Sequence, residues 1–241
     1  MKLVNNTVLI TGGTSGIGLA LGKALLAMGN KVILLGRDRV RLKEAESEGF
    51  HSIRCDLESE KDIENAILKI KKDFLDINIL FNNAGIQQNY LFHEGIVSFE
   101  RIRKEINTNL TGQIALTNAL IPMLSKKEKA MIINTTSGLG AFPKPDGLVY
   151  SASKAGMRNF TLGLRYALKE SSVQVLELIP PVTDTTMTSG REEQKMSVEE
   201  LVRRVIPQIE KERKVITVPI MRIFLWISFL FPALANRILS K

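Results

Sequence analysis

Thr7-Val8-Leu9-Ile10-Thr11 runs without a break into Gly12-Gly13-Thr14-Ser15-Gly16-Ile17-Gly18. The first five residues are a short, β-branched, apolar run that stops at a glycine cluster, the pattern of a buried strand. Beyond the cluster, Ile17, Leu21, Ala24, Leu25 and Met28 recur at helical spacing until Gly29-Asn30, a helix-stop signal. Glycines between a strand and a helix allow a tight turn and let the backbone approach a pyrophosphate, while the N–H groups and dipole of the helix start favour the anion. A plain glycine turn is the competing reading. The position of the cluster, after a strand and before an amphipathic helix, favours phosphate.

The alternation continues outward. Strands are expected at 31–35, 51–55, 77–82, 130–136 and 173–179, with a further short one at 215–218. Helices are expected at 16–29, 38–48, 59–74, 99–125 (broken near Asn107), 150–170 and 198–213. Repeated strand–helix units imply right-handed βαβ crossovers, and strands that read as apolar throughout imply a sheet covered on both faces. The expected fold is therefore α/β, a three-layer Rossmann-type doubly wound parallel sheet of six to seven strands with helices on both faces. Residues 1–241 read as one domain. Stretches 138–147 and 180–190 follow the fifth and sixth strands, at the carboxyl edge where open sheets bind ligands.

Composition narrows the chemistry. The chain has 241 residues, 44% hydrophobic and 24% charged, ordinary values for a globular protein. A single cysteine, Cys55, allows no internal disulfide, and with only two histidines a Cys/His zinc site is not expected. The N terminus does not read as a signal peptide. Net charge is +8, and residues 214–241 supply half of it through Lys214, Arg222, Arg237 and Lys241 with no acid. No nucleic-acid reader motif accompanies the charge, so no nucleic-acid partner is expected.

Of three tyrosines, only Tyr150 has a lysine four residues on, Lys154. On a helix the two share a face. A nearby ammonium favours the tyrosinate, so the pair is expected to bring a phenol of pKa about 10 toward neutrality and into acid/base work on a carbonyl or alcohol. The competing reading is a neighbour pair on a surface helix. Ser137 ends the fifth strand thirteen residues earlier, with Thr135 and Thr136 as local competitors for a role in holding a substrate oxygen.

The glycine spacing, Gly-x-x-x-Gly-x-Gly, resembles that of the short-chain dehydrogenase/reductase family. The resemblance continues, in the family's order, through Asn82-Asn83-Ala84-Gly85, Asn109-Leu110-Thr111-Gly112, Ser137, Tyr150-Ser151-Ala152-Ser153-Lys154 and Pro180 to Thr185, and spans residues 7–187. It implies a hydride transfer between a nicotinamide and a small carbonyl/alcohol substrate. Tyr150 would be the acid/base, Lys154 would also bind the nicotinamide ribose, Ser137 would orient the substrate and Asn109 would hold a water linked to the lysine. It further implies cofactor contacts from Gly12, Thr14, Ser15, Gly16, Ile17 and Gly18, from Asp56 and Leu57, from Asn83, Ala84 and Gly85, and from Pro180, Val182, Thr183 and Thr185. Asp56 has a helix-cap reading beside the adenine one, and Asn109 a reading as a helix-bending polar residue.

NADP is expected over NAD. The second strand ends Leu35-Gly36-Arg37, with no acid at its tip, and a guanidinium matches a 2′-phosphate in charge and in its fork of donors. Asp38 is the counter-indication. Pro180-Pro181 departs from the family's usual Pro-Gly and stiffens that loop. With the apolar basic tail, it resembles members associated with D-alanylation of lipoteichoic acid.

Residues 184–213 are expected to form a substrate lid region. The tail, 219–241, carries an apolar run, Ile223 to Phe231, too short to span a bilayer. It reads as a helix over the cleft or between subunits, or as a peripheral anchor on a membrane surface. A cytoplasmic oxidoreductase is expected, with a peripheral place at the inner face of the membrane as the further reading, pairing as a homodimer or homotetramer through the 99–125 and 150–170 helices as the family commonly does. The rival is a non-catalytic dinucleotide-sensing or membrane-surface envelope protein on the same fold.

Overall fold

The computed structural model describes residues 1–231 and 233. Its strands are β1 (Thr7–Thr11), β2 (Lys31–Gly36), β3 (His51–Arg54), β4 (Ile79–Asn82), β5 (Ala130–Thr135), β6 (Val173–Ile179) and β7 (Val215–Thr217). All pair in parallel in the order β3-β2-β1-β4-β5-β6-β7. The helices are α1 (Gly16–Ala27), α2 (Arg39–Ser47), α3 (Glu60–Asp73), α4 (Phe99–Ile106), α5 (Gly112–Leu124), α6 (Leu148–Ala167), α7 (Val198–Glu210) and α8 (Pro219–Leu230).

Successive strand residues serve opposite faces of the sheet. Val8, Ile10, Leu34, Phe81, Ile133 and Leu178 point to one side, where Leu21 and Leu25 of α1 and Leu201, Val205 and Ile209 of α7 cover them. Leu9, Ile33, Leu35, Leu80 and Ile132 point to the other, under Ile63 and Ile70 of α3 and Leu116 and Leu120 of α5. Strand order reverses between β1 and β4, so a crevice opens at the carboxyl ends of these two strands.

One expectation holds and two do not, each for a physical reason. The long 99–125 helix is broken where expected, by a π-helical turn at Asn107–Thr111 between α4 and α5, a feature common at functional sites. The strands are not apolar throughout, because buried Glu177 sits in β6 and accepts a hydrogen bond from the Thr136 hydroxyl at 2.8 Å. Finally, α7 is not part of a lid: its apolar face is fully buried against α1 and the sheet. Any lid is confined to 184–197, held at its base by a bridge between Thr183 and Met196.

A buried polar chain ties the helix that bears Tyr150 to the centre of the sheet. Asn82 donates to Asn134 at 2.8 Å and to Thr117 at 2.7 Å, and Asn134 donates to Thr161 of α6 at 2.9 Å. Each bond is worth about 1 kcal/mol net, and more is lost if one partner is removed and the other left buried.

Candidate active site

The crevice begins with Thr11. Its hydroxyl accepts from the backbone N–H of Asn83 (2.9 Å) and Ala84 (3.0 Å) and donates to the Phe81 carbonyl (3.2 Å). This fixes the 83–86 segment against the glycine turn. Gly12 has φ +62°, and a Cβ there would lie 2.8 Å from the Ala84 backbone. Gly18 packs tighter: a Cβ would meet the Gly12 carbonyl at 2.4 Å. It does not border the cleft; its contribution is to let α1 close onto the turn. Ser15 caps α1 without spending its hydroxyl on the helix, and the first turn carries no acid. An anion therefore meets uncommitted donors and a favourable dipole.

At one end of the cleft Arg37 and Arg41 lie beside Thr14, Asp56 and Leu57. Asp38 is occupied elsewhere, as the cap of α2, accepting from Val40 N–H at 2.9 Å and Arg41 N–H at 3.2 Å. Arg37 leans instead toward Asp56, 3.9 Å away, a half-exposed pair worth little. Asp56 accepts from Glu58 N–H (3.1 Å), while Ser59 caps α3, so the helix-cap reading of Asp56 does not hold. Gly36 stands at the strand tip, where a Cβ would lie 3.0 Å from the Thr14 side chain, a close but adjustable contact.

In the middle of the cleft, Gly12, Ser15, Gly16, Ile17, Asn83, Ala84, Gly85, Tyr150, Lys154, Pro180 and Thr185 share one wall system, as the sequence places them. The buried ammonium of Lys154 donates to the Thr135 carbonyl at 2.9 Å, and burial lowers its pKa to about 8. Its nitrogen lies 5.8 Å from the Tyr150 ring centre. The Tyr150 phenol is buried, which raises its pKa. A hydrogen bond with the Ser137 hydroxyl and the charge of Arg191 work in the lowering direction. The expected lowering by Lys154 is not what the structure gives: burial dominates, and the opposing cation comes from the 184–197 segment. Glycine cradle, free donors and paired arginines together could hold a phosphorylated dinucleotide.

Among the competitors at the end of β5, Thr136 is committed to Glu177 and Thr135 lends its carbonyl to Lys154. Ser137 borders the outer part of the cleft beside Tyr150. Asn109 sits in the π-helical turn. It accepts from Ile86 N–H (2.8 Å) and donates to the Ile86 carbonyl (2.9 Å) and to Ser153 (3.1 Å), so it braces the cleft wall against α6. Val182 and Thr183 border only the outer part. Sequence reasoning missed Ile86, Gln87, Phe142, Met187, Arg191, Met221 and Phe224, all of them cleft-lining. Only Arg191, the one arginine of the 184–197 segment, carried a signal that could have been read.

The described part of the tail, α8, borders the cleft. Met221 and Phe224 of α8 face it, with Phe224 edge-on to Phe142 at 4.3 Å between ring centres. Ile220, Ile223, Trp226 and Phe229 are exposed on α8. Residues 232 and 234–241, with Arg237 and Lys241, lie outside the described residues. No helix among the described residues is long and apolar enough to cross a membrane.

Residues 6–196 match the short chain dehydrogenase family. The chain is 37% identical over 225 residues to the uncharacterized oxidoreductase DltE of Bacillus subtilis (strain 168), covering 90% of this chain and 89% of that one. It is 35% identical over 191 residues to a serine 3-dehydrogenase of Agrobacterium fabrum, covering 78% and 76%. A short chain dehydrogenase from Burkholderia cenocepacia J2315, solved in complex with NADP, superposes with a TM-score of 0.89 at 25% identity over the full length of both chains.

Proposed function

The chain belongs to the short chain dehydrogenase family, and on that footing we propose that it is a single-domain, NADP-dependent oxidoreductase that interconverts a carbonyl and an alcohol with Tyr150 as acid/base. The observation that carries the reading is the convergence of Ser137, Tyr150 and Lys154 beside the glycine cradle, in one continuous cleft. Arg37 with Arg41 at the far end, and the relative solved with NADP, support NADP over NAD. The glycine turn, Thr14, Ser15, Arg37, Asp56, Leu57, Asn83, Ala84, Gly85, Lys154 and the 180–185 loop would hold the dinucleotide, with Gly18 acting by packing. When bound, that cofactor supplies or takes up the hydride.

The chain's own residues do the rest. Burial keeps the Tyr150 phenol protonated at neutral pH, the form that donates a proton to a carbonyl oxygen being reduced. Ser137 steers that oxygen toward the phenol. Lys154, with a pKa of about 8, is mostly cationic at pH 7 and favours the phenolate left after donation. Asn109 is a positioning residue that holds Ile86 and Ser153 in place. Tyr150→Phe is expected to lower kcat by on the order of 10²–10⁴-fold while NADPH still binds, read by NADPH oxidation over a panel of aldehydes and ketones and by NADPH fluorescence. Full turnover by this variant would reject the assignment.

We further propose that the chain works in the cytoplasm as a homodimer or homotetramer through α5 and α6, where Leu162 and Tyr166 are exposed, and that the exposed side of α8 touches a lipid surface. Sedimentation and liposome flotation test these contacts; a monomer, or a chain that leaves vesicles bare, would remove them.

A further inference from the structure

Beyond Tyr150 and Ser137 the cleft widens into a cavity of about 300 Å³ that proton and hydride transfer alone do not require. Its walls are mainly apolar: Leu139, Phe142, Met187, Met221 and Phe224. Three charged side chains border it, Lys144, Arg191 and Glu193. Lys144 is already matched by Asp146, 3.4 Å away. Arg191 has its backbone fixed by a bond from its N–H to the Thr188 carbonyl at 3.2 Å. Among the described residues its guanidinium makes no ion pair and no hydrogen bond. It acts on the Tyr150 phenol against the burial that raises it, so the charge stands within Coulomb range of the reacting position.

A half-buried guanidinium beside apolar walls, with no acceptor for its fork, favours a planar anion that accepts two parallel N–H bonds. We propose that Arg191 is the carboxylate-binding residue of a pocket that takes an oxo or hydroxy monocarboxylic acid, with the apolar body of the substrate against Phe142, Met221 and Phe224. This deepens the oxidoreductase reading and rests on it for the reacting carbon. Glu193 on the same rim offsets part of the positive charge, so a single carboxylate is accommodated and a dianion such as a phosphate monoester is not. A neutral substrate would leave the guanidinium without a partner, and a cationic one would be repelled.

The test reads binding and turnover separately. Protein saturated with NADP+ is titrated with 4-phenylbutanoate, 4-phenylbutanamide and 4-phenylbutyl phosphate by calorimetry or ligand-observed NMR. The acid is expected to bind at least about tenfold tighter than the amide, as a charge-assisted bidentate contact implies. Arg191→Gln should weaken the acid by about 10–100-fold, down to the amide's level, and leave the amide unchanged. Arg191→Lys should fall between. Equal affinity for acid and amide in the wild type, a preference for the phosphate, or an acid preference that survives Arg191→Gln would each overturn the proposal. Should Arg191→Gln fail to fold, the wild-type ratios and Arg191→Lys still decide. The second arm follows NADPH oxidation with 3-oxo-5-phenylpentanoate and its methyl ester. A raised KM for the acid alone in Arg191→Gln supports the proposal. An equal fall in kcat for acid and ester means that Arg191 acts through Tyr150 and overturns it. Turnover of neither compound, alongside the expected binding pattern, would sink the oxidoreductase reading and leave this subsite standing.

Discussion

At the Arg37 end of the cleft the backbone does the shaping, and at the Phe224 end side chains from three distant segments do it. Around Gly12 the wall is main chain, and behind it Gly18 packs so closely that one added carbon would meet the Gly12 carbonyl at 2.4 Å. Around Ser137 the walls are Phe142 from the loop after β5, Met187 and Arg191 from the 184–197 segment, and Met221 and Phe224 from α8. The first construction fixes which residues can stand there, because only glycine has the room. The second fixes only that something apolar stands there, which leaves substrate choice free to change while the dinucleotide end stays the same.

The sharpest way to break this contrast is Gly18→Ala. The new methyl collides with the Gly12 backbone and the Asn83 amide, and neither can give without opening the turn. A loss of about 2–3 kcal/mol in unfolding free energy is expected, together with a fall in NADPH affinity on the order of 100-fold, read by denaturant melts and fluorescence titration. Gly163→Ala, in α6 with nothing within 4 Å in the protomer, is the matched control and should stabilise the monomeric chain by about 0.5–1 kcal/mol. If both substitutions behave alike, the cradle is not as tight as its geometry indicates.

Arg37→Gln tests the charge at the same end without touching the backbone. Its pair with Asp56 is long and half exposed, so stability should barely move. NADPH affinity should fall by about 10–100-fold, the value of a charge-assisted contact to a 2′-phosphate, with NADH affinity unchanged. Equal losses for both cofactors would show that Arg37 shapes the pocket and does not read the phosphate.

The same contrast explains what could be read from the sequence. The succession of strands and helices, the glycine turn and the Tyr150–Lys154 spacing were legible because they depend on local period, glycine spacing and one helical turn; Ser137 stood out from Thr135 and Thr136 only through the family resemblance, and the order of the strands in the sheet was not written in any local pattern. The break near Asn107 was expected too, and the π-helical turn at Asn107–Thr111 stands there. The partner of Phe224 was not, because Phe142 is 82 positions away in the chain and nothing local marks their contact. Nor was the role of α7, whose buried face against α1 is visible only once the sheet is assembled. The electrostatics of Tyr150 were misread for a related reason. Spacing shows which charge is one turn away, but it is blind to burial and to a cation arriving from a segment 41 residues on.

Burial also sets the smallest of these effects, and its sign can be worked out. Lys154 has a pKa of about 8 in the folded chain against an ordinary value of 10.5. Below pH 8 it is charged both folded and unfolded, so the folded state bears the full cost of a buried cation. Between about pH 8 and 10.5 the folded chain releases the proton while the unfolded chain keeps it, and stability rises with pH over that window. Lys154→Met removes the titration. It also strands the Thr135 carbonyl that Lys154 now bonds, a roughly pH-independent loss of about 1–3 kcal/mol. The free energy of unfolding of the wild type relative to the variant, in cofactor-free protein, should therefore be flat below pH 7 and climb by at least about 1 kcal/mol between pH 8 and 10. A difference that stays level across that window would mean that the ammonium is solvated, and that the substrate end of the cleft is as wet as the Arg37 end.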